Sequence, residues 1–164
     1  MTSPEDFSAG ENVSVLPDGS PSQFDVSIEA DRIYYLAMAH RSPVRSITVH
    51  NLNADDLGEL VVTCRVESAS GTPLLAPTAI GIPTPRPGLS TTVRRVRLAP
   101  NRRALALLEE RLPADLVVTV TAGERIVAIE RSPIEFLAGN QWMFADAYWD
   151  SLAAFVQPNS PAID

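Results

Sequence analysis

The chain contains no lysine: all 13 basic residues among its 164 are arginine. Phosphate-binding loops place a lysine ammonium on nucleotide phosphates, and Schiff-base chemistry needs a side-chain amine, so neither mechanism is open to these residues. A single cysteine, Cys64, cannot form an internal disulfide, and its place in an alternating apolar run marks it as a buried, inert thiol. The two histidines, His40 and His50, have no second cysteine and no metal-type spacing around them, which argues against a zinc site. No window reaches the roughly 18 uninterrupted apolar residues of a membrane helix. The first 23 residues lack the basic start and apolar core of a secretory signal. These absences together predict a cytoplasmic protein without membrane contact.

What is present is an ordinary globular composition, 45% hydrophobic and 20% charged, enough apolar material to bury one core without staples. Net charge is −7, which opposes general attraction to nucleic acid or to an anionic membrane. Residues 1–23, rich in Ser, Pro, Gly and acids, read as a flexible lead-in.

Alternation with the period of a strand starts at Phe24, where Phe24, Val26, Ile28 and Ala30 share one face. A nearly continuous apolar run predicts a second strand over 33–39. A third covers 44–51, with Ile47 and Val49 inward, and the Asn, Asp and Gly residues of 51–58 make a turn. The clearest strand is 60–67, with Leu60, Val62, Cys64 and Val66 on one side. Five prolines between Gly71 and Gly88 leave room for a short edge strand at most. Pairing resumes over 91–98. Asn101 then caps a helix carrying Leu105, Leu108 and Leu112 on one side, stopped by Pro113 and lying across one end of the sheets. Leu116, Val118 and Val120 begin a hairpin that turns at residues 122–124 and returns from Ile126 to about Glu130. Large side chains between Trp142 and Phe155 have helical spacing. The expected fold is therefore all-β: an immunoglobulin-like antiparallel β-sandwich over 24–140, with a short helical insert and a C-terminal helical junction and linker over 141–164. The paired cysteines and central tryptophan of antibody domains are missing, so the expectation concerns architecture alone.

The sequence offers no catalytic constellation. Carboxylates are scattered, no nucleophile elbow is present, and nothing calls for a cofactor or a metal. Two groups remain as candidate interaction residues. Residues 94–103 hold Arg94, Arg95, Arg97, Arg102 and Arg103 with no acid among them. Strict strand alternation would put Arg94 on one face and Arg95 and Arg97 on the other, a solvated arrangement neutralised by acids elsewhere. The competing reading is one patch for a phosphate or an acidic partner. The second group is aromatic: Trp142, Phe144 and Trp149, near the end, either close the core or dock another domain.

The runs PIEFLAGNQW (133–142) and LAAFVQPNSPAI (152–163), with YYLAMAHRSPVRSITVHNLN (34–53) leading into GELVVTCRV (58–66), resemble the N-terminal β-sandwich domain of large bacterial superfamily-one helicase-like proteins. In those proteins the sandwich precedes motor segments and often a restriction-endonuclease-like domain. The likeness covers most of 24–163 and departs at Gly139 and Gln141, where more polar or charged residues are expected. It implies a noncatalytic accessory module of a nucleic-acid-processing protein, with anti-phage defence among the roles of the parent. No motor or nuclease residue is carried over. The partners implied are neighbouring domains of a larger chain or another protein, with direct nucleic-acid binding weak or absent. The alternative is a stand-alone cytosolic protein-binding sandwich unrelated to nucleic acid.

Overall fold

In the computed structural model, residues 16–17, 19–69, 71, 73–138 and 141 are described. The expected helical junction, with Trp142, Phe144 and Trp149, lies outside the described residues. Eight strands are described: β1 (Phe24–Ala30), β2 (Ile33–Tyr34), β3 (Val44–Asn51), β4 (Glu59–Ser68), β5 (Thr78–Pro83), β6 (Ser90–Arg94), β7 (Leu112–Ala122) and β8 (Arg125–Phe136). They form a three-stranded sheet ordered β1-β3-β6 and a five-stranded sheet ordered β2-β8-β7-β4-β5. Every pairing is antiparallel except that of β2 with β8. Buried residues of both sheets, among them Phe24, Ile47, Leu60, Val118 and Phe136, make one core cluster.

The alternation reading holds best where one face is apolar. Leu60, Val62 and Cys64 are each at most 1% exposed, while Val61, Thr63 and Arg65 across the pleat are half-buried. The hairpin turns at Gly123, whose φ of 58° is the left-handed conformation that tight turns demand and glycine tolerates.

Four expectations need correction. The apolar run 33–39 is a strand for two residues only and then a 3-10 turn, Leu36–Met38. Tyr34 fixes that turn, its hydroxyl donating to the carbonyls of Met38 (3.2 Å) and Arg41 (2.9 Å). The helix α1 (Arg102–Ala106) is capped by Asn101, whose side chain accepts from the Ala104 amide, but it ends before Leu108, and Leu112 opens β7. Pro113 therefore does not stop a helix; it lies in β7 opposite Glu135, beyond Ala114 where the β4 ladder ends, so its missing N–H costs no bond on that side. The same logic carries β8 through Pro133, whose β2-facing side is paired only from Glu135 onward. Finally, β6 ends at Arg94 rather than continuing to Leu98. Within the expected lead-in, Ser22 is buried and its hydroxyl contacts the Val127 carbonyl at 2.9 Å, tying the entry of β1 to β8.

Candidate functional site

Arg94, Arg95 and Arg97 do not divide across a strand. Val93 and Val96 are both buried, as is Leu98, while Arg94, Arg95 and Arg97 are all exposed. Strict alternation cannot produce that order. It arises because Arg95 takes φ 58°, the one positive φ of a non-glycine among the described residues, which shifts the pleat by one position. Three guanidiniums thereby reach one side of the chain.

A matching irregularity sits on the neighbouring strand. In the β1–β3 ladder Glu29 pairs with Ser46 and Ala30 with Val44, leaving Arg45 as the extra residue of a bulge. Ser46 in turn pairs with Arg94, so the bulge and the break at Arg95 lie at the same end of the three-stranded sheet. Both open onto a cleft of about 880 Å³, lined by Arg41, Arg45, Arg94, Arg95, Arg97 and His40 and by no carboxylate. The loop before β3 supplies one wall and the segment after β6 the other. Ser42 Oγ bridges them, accepting from the amides of Val44 (3.3 Å) and Leu98 (3.5 Å).

The two walls differ electrostatically. Behind the first, Asp31 has a side chain only 5% exposed and holds Arg45 at 2.6 Å and Arg41 at 3.9 Å. Arg45 also reaches Glu29 at 3.9 Å. Arg94, Arg95 and Arg97 enter no ion pair among the described residues. Guanidiniums are planar forks suited to carboxylate or phosphate oxygens, and a concave wall of them concentrates positive potential in an otherwise acidic molecule. Arg102 and Arg103 belong to α1 and are not part of the lining.

Sequence reasoning missed Arg41 and Arg45. The available signal was their position on both sides of Pro43, but joining them to residues 94–97 required the β3–β6 pairing. Tyr34 is the buried support of this wall. Burial pushes its phenol up to about 12, against the opposing pull of Arg41 and Arg102, so it stays a neutral donor to the Arg41 carbonyl.

Elsewhere the chemistry is structural. Burial pushes the Cys64 thiol up to about 11, with Arg65 opposing, which makes it a poor nucleophile. On the outer face of the five-stranded sheet, Glu67 bonds Arg65 (2.7 Å) and Arg131 (2.8 Å), and these side chains roof Val117 and Thr119. Among the described residues no three His, Cys, Asp or Glu side chains gather to hold a metal ion. No helix among them is long and apolar enough to cross a membrane.

Among solved structures, the chain is similar to one titled "Crystal Structure of the Periplasmic Chaperone SfaE", at 14% identity and a TM-score of 0.35, over 74% of this chain and 60% of that one. The chain thus spans less than two thirds of that protein's length. No family model and no curated protein matches the chain.

Proposed function

We propose that the chain is a noncatalytic interaction domain, immunoglobulin-like in architecture, whose arginine cleft docks an acidic element of a protein partner. The observation that supports it is the cleft itself: five guanidiniums and no carboxylate in the lining, three of them without an ion pair among the described residues, within a molecule of net charge −7. The same net charge disfavours a long polyanion. Extended nucleic acid would carry its phosphates past the cleft onto acidic surface, whereas a few carboxylates need only the cleft. The resemblance of 34–66 and 133–163 to the sandwich of helicase-like proteins supports placing the partner in a larger cytosolic nucleic-acid-processing protein, as a neighbouring domain.

The test is a titration of the isotope-labelled chain with a short polyglutamate peptide and, separately, with a single-stranded oligonucleotide of equal charge. The reading expects peptide-induced shifts at residues 40–45 and 94–98, lost with the double variant Arg94→Ala, Arg97→Ala. An oligonucleotide that binds more tightly than the peptide, or peptide shifts spread evenly over the surface, would reject it.

A further inference from the structure

The acidic partner named above has a second constraint, set by the strand that ends in the cleft. β6 lies at the edge of the three-stranded sheet, paired with β3 on one side and with no strand on the other among the described residues. The remaining edges differ from it. β2 is two residues long. β5 is bounded by Pro77 and Pro83, and the Glu59 side chain lies across its Gly81. β1 is approached by β8, to which Ser22 links its entry. β6 instead reads Ser90, Thr91, Thr92, Val93, Arg94, with no proline or glycine and a β-branched centre. Its outward side chains are already engaged with β3, Thr48 with Thr92 at 3.0 Å and His50 with Ser90 at 2.9 Å, so its backbone is held extended.

An unprotected edge is a template for another strand, and proteins commonly blunt such edges with charge. Arg94 and Arg95 at the end of β6 do this against a second copy added in parallel, where arginine would lie opposite arginine. The same charges favour an acidic strand. Resting on the cleft reading above, we propose that the partner segment adds to β6 as an extended strand, its backbone bonding the free edge of Ser90–Arg94 while its carboxylates enter the arginine cleft. Main-chain bonds then supply affinity without sequence preference, and the arginines select for acids at the end that reaches them.

Backbone methylation separates the two ideas. The probe is a synthetic peptide of alternating Glu and Thr, about ten residues long to cover one strand, with two derivatives N-methylated on alternate residues in opposite sets. In a strand one set of amides faces β6 and the other faces solvent. One derivative is expected to lose roughly tenfold or more in affinity, as several backbone bonds fail, while the other stays close to the parent peptide. Equal affinity of both derivatives overturns strand addition and leaves the cleft as a side-chain site. Failure of the unmethylated peptide to bind at all overturns both readings.

Discussion

At Arg95 a single dihedral angle exchanges stability for the placement of charge. An L-residue at φ 58° is strained, by about 1–2 kcal/mol in the left-handed region. Glycine would relieve that strain and give back about 0.5–1 kcal/mol of it as extra freedom in the unfolded chain. Arg95→Gly is therefore expected to match the parent in stability or exceed it by up to about 1.5 kcal/mol, whereas Arg95→Ala keeps the strain and gains nothing. Both lose a guanidinium from the cleft and should bind an acidic peptide more weakly. Urea unfolding of the two variants checks this; a glycine variant less stable than the alanine variant would mean the residue occupies an ordinary backbone region. Stability surrendered for the orientation of a side chain is the pattern expected where a residue serves binding rather than folding.

Among the elements, the loop 51–58 is held by something its turn-forming composition does not announce. Asn51 is fully buried at the end of β3, its amide donating to the carbonyls of Ala54 (3.0 Å) and Pro85 (2.7 Å) and its oxygen accepting from the Ala54 N–H (2.7 Å). Asn51→Ala strands those three backbone groups in the interior and should cost about 3 kcal/mol or more, since each unmet buried group is worth about 1–3 kcal/mol. The neighbouring half-buried His50, whose ring bonds only the Ser90 hydroxyl at the surface, should lose no more than about 0.5 kcal/mol on substitution by Ala. The expected signature is a lower urea midpoint with an unchanged slope for the first variant alone. Pro85 lies 34 residues from Asn51, which explains why this clamp was not legible in the sequence. Period-two alternation revealed β1, β3, β4 and the hairpin because each turns one apolar face to a shared core. It gave no guidance at residues 33–39, where a continuous apolar run fits a strand or a turn equally well and reads as a strand, and it misplaced the end of β6 and the outer ends of β7 and β8. Pro113 and Pro133 look like breakers until their unpaired sides are known. The five-arginine cleft was half legible: the cluster at 94–103 stood out by composition, but the pleat shift at Arg95 and the bulge at Arg45 are consequences of pairing between distant strands.

For the molecule as a whole, acids outnumber bases, and two glutamates pull its pH dependence in opposite directions. Glu67 is held below its usual value of 4.5 by hydrogen bonds from Arg131 and then Arg65. Its contribution is present above the unfolded value and fades as pH falls through the lower folded value, and its exposure to solvent keeps it small. Glu130 behaves the other way. It pairs in register with Val118 and so turns toward the space between the sheets, where burial, and then the negative charge of Asp25 on β1, raise its pKa above 4.5. A native carboxyl with a raised pKa binds its proton more tightly than the unfolded chain does, so stability declines as pH rises from the unfolded value through the folded one. The charged form, present at neutral pH, opposes the closure of β1 against β8. Glu130→Gln removes that opposition while keeping the shape of the side chain. The variant is expected to be more stable than the parent at pH 7 and to lose the decline that starts at the usual carboxyl value of 4.5, while the acid-side loss due to Glu67 remains. Urea midpoints of both proteins at a series of pH values decide it. If the two curves run parallel above pH 4.5, then Glu130 is solvated, and the seam between the two sheets is open to water at that point.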